Sequence, residues 1–288
     1  MKDEPDLATR LDALEQRVQE DSRPRPRASR MGGWTRLLLL VMLTVNICVL
    51  WGVVKDQRKE RLEHSFWLVC QPGAAAEQRC EAFAELVRAG NREWCSARLK
   101  HLKLRGADLA QANLDVIDLG GCDLTDANFK SASLHRANLE LTKLVRADLS
   151  DADLSECFFR KVDLTSADVS RADLRSASLE QSDMVDTKFE QADMTEANLL
   201  LAVLTGADLR RANLSWANLD AADLTGANLE DANLDNASIQ DTFFGNSNWW
   251  RAKGLPSATI ERFKKDFSPN DDAPAEFQED FRKWLAGR

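Results

Sequence analysis

A five-residue rhythm dominates the middle of the sequence. In the stretch ADLTGANLEDANLD, residues 222–235, an Ala recurs every five residues and is followed by Asp or Asn and then by Leu. This period fits neither an α-helix, with about 3.6 residues per turn, nor a β-strand, in which side chains alternate with a period of two. The backbone must therefore change direction once in every five residues to keep all the leucines on one side.

The rhythm continues without a slip over half of the chain. We number each pentad so that Ala is position 1, Asp or Asn is position 2 and the large apolar residue is position 3. Position 3 is Leu, Phe, Met, Val or Ile in 29 consecutive pentads from Leu104 to Phe244. Position 1 is small in nearly all of them. Where it is not Ala, the small substitutes are Cys122, Thr142, Cys157, Ser182, Thr187 and Thr242.

A corner in every pentad closes a four-sided coil of twenty residues. Residues twenty apart would then stack in neighbouring coils, about 4.8 Å apart as in a parallel ladder. Position 4 of every fourth pentad supports this arrangement, because it carries a column of β-branched residues suited to strand-like stacking. The column consists of Thr125, Val145, Thr165, Val185, Thr205 and Thr225.

These pentads resemble the pentapeptide repeat family, whose pattern is A(D/N)LXX. The segments ADLAQ, ANLDV, ADLSD, ANLDA, ADLTG and ANLED match that pattern as they stand. The resemblance implies an all-β solenoid, namely a right-handed quadrilateral parallel β-helix, which we place at residues 99–250. Helical caps at both ends and an N-terminal transmembrane helix complete the expected fold.

The segments before the repeats predict a membrane anchor. Residues 1–33 are predicted to form a cytoplasmic head with a short amphipathic helix and a linker rich in Pro and Arg. Residues 34–54 form an apolar stretch that, as a helix, would be about 31 Å long, enough for a bilayer core of about 30 Å. Five Arg residues precede the uncharged run and four Lys or Arg residues follow it, which favours an N-terminus inside. The prediction is a single-pass protein of the bacterial inner (cytoplasmic) membrane whose solenoid is periplasmic rather than cytoplasmic.

The regions on either side of the repeats predict caps. Residues 55–98 comprise a linker and an N-terminal capping helix, and residues 251–288 comprise C-terminal amphipathic helices. Covering the exposed end layers of a repeat array is the first interpretation of these helices. The alternative is a homodimer formed through the C-terminal or the N-terminal helices.

Three of the six cysteines, Cys70, Cys80 and Cys95, follow the predicted span. An oxidising compartment would permit a disulfide among them, with the pairing open. The alternative is that they are small apolar residues on a helix. None of the six cysteines lies in a CxxC motif, so no metal or redox site is predicted.

The chain is poor in the side chains and sequence motifs that are typical of enzymes. It contains no Tyr and only three His, and it lacks GxGxxG, GxxxxGK, HExxH and GxSxG motifs. These are among the side chains and motifs most used for acid–base catalysis and cofactor binding. We therefore predict no catalytic residue, no cofactor and no metal.

An acidic surplus is the remaining chemical signal. Between Leu104 and Trp250 there are 26 Asp or Glu residues and 12 Lys or Arg residues. Under the twenty-residue stacking, carboxylates form neighbouring pairs and columns. The candidates for a partner-binding surface are Asp148 beside Asp168, and the column Asp153, Asp173 and Asp193. The structural interpretation is that Asp and Asn at position 2 hydrogen-bond the local backbone of the turns.

The predicted function is a non-enzymatic, membrane-anchored scaffold or adaptor whose rigid acidic β-helix binds another, unidentified protein. The outward apolar residues Leu200, Leu201, Val203 and Trp216 mark a candidate contact site. The resemblance implies an alternative, a DNA-mimicking, gyrase-protecting protein that occupies a topoisomerase, and this requires a cytoplasmic solenoid. Neither interpretation predicts direct contact with nucleic acid.

Overall fold

The computed structural model of the protein describes residues 59–65, 67–69, 71, 75–88 and 98–287. Between residues 98 and 253 the backbone forms isolated parallel β-bridges, and each bridge joins two residues that are twenty apart. The helices are α1 at Ala76–Arg88, a short 3-10 helix at Trp249–Arg251, α2 at Ser257–Asp266 and α3 at Ala275–Ala286. Residues 59–65 and 67–69 are also helical.

Four ladders of bridges give the coil four sides. Face 1 begins at Arg98, face 2 at Lys103, face 3 at Asp108 and face 4 at Asn113, and each ladder continues in steps of twenty residues. Coil 1 therefore starts at Arg98, and every later coil starts twenty residues further on. The predicted twenty-residue stacking is confirmed. The β-branched column at position 4 lies in turns, and only position 2 forms β-bridges in the described coil. The carbonyl groups of the column still pair between coils, as from Gly106 N to Thr125 O at 2.9 Å.

Each corner is a turn whose second central residue has a positive φ. Position 5 has a φ between 54° and 70° in every pentad from His101 to Asn246. The turn is closed by the N–H of the following position 1, as in the bond from Ala167 N to Leu164 O at 2.9 Å. This combination fits a type II turn. Because most of these residues are not glycine, the regular hydrogen bonds of the coil must offset the conformational cost at each corner.

The pentad 167–171 shows how the backbone donors are paired. Position 2 donates to the previous coil, and positions 3 and 5 donate to the next coil, at 2.8–2.9 Å. Position 1 closes the turn, which leaves the N–H of position 4. That group, on Ser170, donates to Asp168 Oδ1 at 3.0 Å. All five N–H groups of this pentad are therefore satisfied, and one of them depends on the side chain at position 2.

The interior of the coil is filled by position 3. Of the 29 predicted centres, 28 are at most 5 % exposed, and Ile239 in the last coil is half-buried. The buried core also extends one pentad beyond the run of predicted centres at each end, to Leu99 and to Trp249, both within the predicted bounds of the β-helix. Burying one such side chain contributes about 2 kcal/mol, so the core supplies the main driving force for folding.

Polar residues at position 1 are buried with a hydrogen-bond partner. Thr142 Oγ1 donates to Leu119 O at 3.0 Å, and Ser182 Oγ donates to Phe159 O at 2.7 Å. Cys122 Sγ donates to Leu99 O at 2.8 Å. Burial raises the pKa of Cys122 to about 12 and also raises the pKa of Cys157. Both thiols are therefore unreactive core residues.

Helix α1 covers the first coil. Phe83 and Leu86 of this helix are buried in the same apolar cluster as Leu99. The buried side chain of Arg79 donates from Nε to Val69 O at 2.8 Å and from Nη2 to the carbonyl of Arg98. The predicted helix in this region is therefore present, and it pairs a polar group at the open end of the coil.

Helices α2 and α3 pack against the last coil through aromatic rings. The ring of Trp249 lies 5.3 Å from that of Phe263 in α2 and 6.0 Å from that of Phe281 in α3. Trp250 Nε1 donates to Asp280 Oδ2 at 2.8 Å. The apolar faces of both helices are thus used largely within the chain. Homodimerisation through the terminal helices stays a prediction.

The predicted localisation in the bacterial inner membrane requires a correction. Among the described residues, none of the helices combines the length and the apolar character that crossing a bilayer demands. The predicted head at 1–33 and the predicted span at 34–54 lie outside the described residues.

Candidate interaction surface

The outer surface of the coil is built from positions 2, 4 and 5 of each pentad. On face 3, Asp148 and Asp168 form a bridge and are therefore stacked as the sequence predicts. Asp148 Oδ1 accepts hydrogen bonds from Ser150 N at 2.9 Å and from Ser150 Oγ at 2.6 Å. Since Asp168 caps Ser170 in the same way, both carboxylates serve the turn that follows them.

The predicted column on face 4 is also present, with bridges from Asp153 to Asp173 and from Asp173 to Asp193. Each of these carboxylates accepts the N–H of position 4 in its own pentad, at 3.0–3.1 Å. Asp173 also binds Arg175, whose Nε lies 2.8 Å from Oδ1. The hydrogen bond from Arg175 lowers the pKa of Asp173. These side chains have a structural role, and their contribution to partner binding stays a prediction.

In two pentads the previous coil supplies this capping bond, and sequence reasoning missed both. Position 2 is Ser133 in one of them, and the N–H of His135 is instead accepted by Asp115 Oδ1 in the previous coil at 3.2 Å. In the other pentad, position 2 is Ser238, and the N–H of Gln240 is accepted by Asp220 Oδ1 in the previous coil at 2.8 Å. An Asp at position 4 in one coil, followed by Ser at position 2 in the next coil, is the sequence signal that could have revealed the exchange.

Ion pairs between neighbouring coils offset part of the acidic surplus. Arg146 Nε lies 2.7 Å from Asp126 Oδ1, and Arg171 Nε lies 2.6 Å from Asp151 Oδ1. Both pairs join residues twenty apart at position 5. The hydrogen bond from each arginine lowers the pKa of its aspartate. The surface is therefore a mixture of both signs rather than a uniformly acidic wall.

The exposed large apolar side chains of the coil lie on faces 1 and 2 and at the corners of face 1. Val116 and Trp216 occupy the corner before face 1, Phe158 lies on face 1, and Leu141 and Leu201 occupy the corner after it. Val203 and Phe243 follow directly as the first residues of face 2 in their coils. Within the described coil, face 3 carries none.

The four apolar residues predicted from sequence thus differ in solvent exposure and in their location on the coil. Leu201 is 48 % exposed and Val203 is 37 % exposed, whereas Leu200 is half-buried. Trp216 is 63 % exposed but lies at the opposite edge of face 1. Sequence reasoning missed the other exposed apolar residues of this side, although their outward positions in the pentads could have identified them. The omitted residues are Val116, Leu141, Phe158 and Phe243.

The predicted cysteine cluster is only partly described. Cys80 is a half-buried free thiol on α1. Cys70 and Cys95 lie outside the described residues, so a bridge between them stays a prediction. In the part of the chain that the structure covers, no group of His, Cys, Asp and Glu is arranged to hold a metal ion.

The protein-family comparison matches the family described as pentapeptide repeats, in eight copies, over residues 117–144, 142–181, 182–220 and 212–248. The comparison with curated proteins gave no match.

Among solved structures, the chain is similar to HetL, a pentapeptide repeat protein involved in heterocyst differentiation regulation in the cyanobacterium Nostoc. The two are 28 % identical over 61 % of this chain and 98 % of that chain, with a TM-score of 0.34. A pentapeptide repeat protein of the Arabidopsis thaliana thylakoid lumen is 27 % identical over 42 % and 79 % of the two chains, with a TM-score of 0.29. The plasmid-mediated fluoroquinolone resistance protein QnrB1 is 18 % identical over 60 % and 92 %, also with a TM-score of 0.29.

Proposed function

The chain belongs to the pentapeptide repeat family, and from that premise we propose that it is a non-enzymatic scaffold or adaptor that presents a rigid β-helix to another protein. The observation that carries the proposal is the one-sided distribution of exposed apolar residues around face 1. Scattered exposed apolar residues are normal on a protein surface. A set confined to two adjacent faces of a four-sided coil is instead typical of a contact surface.

The regularity of the coil supports this role. Centres such as Leu199 and Leu219 are fully buried, and the backbone donors pair between coils along the whole stack. A surface held in this way loses little conformational entropy when a partner binds. Face 1 and its corners therefore form a preorganised platform.

Site-specific photo-crosslinking in cells tests the proposal. The photoreactive residue replaces Leu201 in one variant and Gln191 in the control. Both residues occupy position 5 with almost the same φ, 59° and 60°, but Gln191 lies at the corner after face 3. We expect a discrete crosslinked partner from position 201 and none from position 191. Equal crosslinking from both positions, or none from position 201, would exclude this surface as the platform.

A second candidate function is binding to a DNA topoisomerase by imitation of the DNA charge. The surplus of 26 acidic over 12 basic residues between Leu104 and Trp250 favours it. The inter-coil ion pairs, such as Arg146 with Asp126, argue against it, because duplex DNA presents one sign of charge along its length. A supercoiling assay with purified gyrase distinguishes the two. Neither inhibition nor protection is expected from the scaffold.

A further inference from the structure

Faces 1 and 2 differ in charge between the two halves of the coil. In coils 1–4 these faces carry eight Lys or Arg residues and five Asp or Glu residues. In coils 5–8 the same faces carry no Lys, Arg or His and six acidic residues. The six acidic residues are Glu180, Asp183, Asp186, Asp220, Asp223 and Asp241.

The exposed apolar residues of coil 6 lie between two of these acidic rows. Leu201 and Val203 belong to coil 6, and Leu200 beside them is half-buried. Coil 5 contributes Glu180, Asp183 and Asp186 on one side, and coil 7 contributes Asp220 and Asp223 on the other. One coil step is about 4.8 Å, so the two acidic rows are about 10 Å apart, close to the diameter of an α-helix.

These carboxylates are engaged with neutral groups only. Asp223 Oδ1 accepts the N–H of Thr225 at 2.9 Å, and Asp183 Oδ1 accepts that of Val185 at 3.3 Å. Glu180 accepts a hydrogen bond from the Asn198 side chain. In the described part of the chain, none of the six forms an ion pair with a Lys, Arg or His side chain, unlike Asp126 on face 2 of coil 2. Their negative charge is therefore available to a partner.

We infer that the apolar surface of coil 6 binds a basic amphipathic helix of a partner protein, an inference that rests on the proposed scaffold function. The apolar ridge of such a helix would cover Leu200, Leu201 and Val203. Its flanking Lys and Arg residues would face the acidic rows of coils 5 and 7. Coils 5–8 carry no cation on these two faces, and in the adjoining coil 4 Arg160 pairs with Glu140. Charge complementarity of this kind selects the partner and sets its orientation.

The test measures peptide binding to the full chain by fluorescence anisotropy. The probe is a dye-labelled helical peptide of 18 residues made of Leu and Lys, with Leu at the i, i+3, i+4 and i+7 spacing. The control peptide has Glu in place of every Lys. We expect the Leu–Lys peptide to bind at least about tenfold more tightly at low salt, and most of that preference to disappear at about 0.5 M salt. Equal affinity for the two peptides would overturn the inference.

Three variants locate the binding surface. Leu201→Ser should weaken binding of the Leu–Lys peptide about fivefold, because the apolar contact is reduced. Asp186→Lys should weaken it by a similar factor at low salt, because repulsion replaces attraction. Glu230→Lys changes the charge of the protein equally but lies on face 3, and it should leave the affinity within about twofold. If Glu230→Lys weakens binding as much as Asp186→Lys, the attraction is non-specific and the inference fails.

Crosslinking and peptide binding together distinguish a failure of this inference from a failure of the proposed scaffold function. A crosslinked partner at position 201, combined with no preference for the Leu–Lys peptide, would keep the scaffold and exclude the basic helix. The melting temperature of each variant is measured beside its affinity. If Asp186→Lys and Leu201→Ser have the melting temperature of the wild type and still bind the Leu–Lys peptide with wild-type affinity, the inference is also overturned.

Discussion

Coils 1–4 and coils 5–8 have the same backbone and opposite surfaces on faces 1 and 2. Position 5 has a positive φ in both halves, at 61° for Asp126 and 55° for Asp186. The centres are fully buried in both halves, as at Leu124 and Leu224. The outward side chains differ, because faces 1 and 2 carry eight Lys or Arg residues in the first half and none in the second.

This comparison shows that the fold and the surface are specified by different positions of the pentad. Positions 1 and 3 fill the interior in every coil, and position 2 caps the turn where it is Asp or Asn. Elsewhere position 2 carries surface residues such as Phe158 and Val203. Position 5 faces outward and is Arg, Asp, Leu or Trp at the same backbone geometry, whereas position 4 ranges from buried, as at Thr125, to exposed, as at Arg175. A difference at the unconstrained positions is therefore where a function of this protein is to be sought.

The largest expected effect is the loss of folding stability when an Asp is placed in the core, and it tests whether the two halves share one type of core. Leu124→Asp and Leu224→Asp, both at position 3 of face 2, should each destabilise the protein by at least about 4 kcal/mol, because each buries an unpaired carboxylate. Circular dichroism melting curves measure the loss. Leu201→Asp, on the surface, should stay within about 0.5 kcal/mol of the wild type. If either Leu124→Asp or Leu224→Asp melts like the wild type, the side chain at that position is not buried in the core as described.

The core was predictable from sequence because its determinants are local and repeated. One large and one small inward residue in each pentad predict the buried positions, and Leu174 or Leu204 needs no tertiary information to be assigned. The ends were less predictable. Leu99 lies one pentad before the first predicted centre, Leu104, since helix α1 covers a layer that the repeat pattern alone treats as the edge.

The surface was predictable only in part, because exposure depends on contacts between coils. Leu200 and Leu201 are adjacent in sequence, yet Leu200 at position 4 is half-buried and Leu201 at position 5 is exposed. The role of Asp115 was not predicted either. It caps the turn at His135, twenty residues away, and the five-residue pattern does not contain that interaction.

A smaller effect tests whether position 2 acts through its oxygen or through its charge in both halves. Asp163 Oδ1 accepts the N–H of Thr165 at 3.1 Å in coil 4, and Asp223 Oδ1 accepts that of Thr225 at 2.9 Å in coil 7. Asp163→Ala and Asp223→Ala should each cost about 1–2 kcal/mol in urea unfolding, because a backbone donor loses its partner.

The matched controls are the Asn variants at the same two positions. Asp163→Asn and Asp223→Asn keep the acceptor oxygen and remove the charge, so each should stay within about 0.5 kcal/mol of the wild type. An Asn variant as unstable as the Ala variant would show that the charge, rather than the capping bond, maintains the turn.

The smallest expected effect distinguishes the paired acids of the first half from the unpaired acids of the second. Arg146 donates to Asp126 from Nε at 2.7 Å and from Nη2 at 2.9 Å, and these hydrogen bonds hold the pKa of Asp126 below its usual value. A carboxyl group whose pKa is lower in the folded state stabilises the protein above its unfolded pKa of about 3.9, and this contribution is lost as the pH falls further.

The melting temperature should therefore fall between about pH 5 and pH 3, and it should fall less in Asp126→Asn, which lacks this contribution at every pH. Asp186→Asn is the matched control, since residue 186 has the same position on face 2 and Asp186 forms no ion pair in the described part of the chain. Its fall should equal that of the wild type. Equal falls in all three proteins would mean that the ion pair of the first half adds nothing to folding, and that its arginine serves the surface alone.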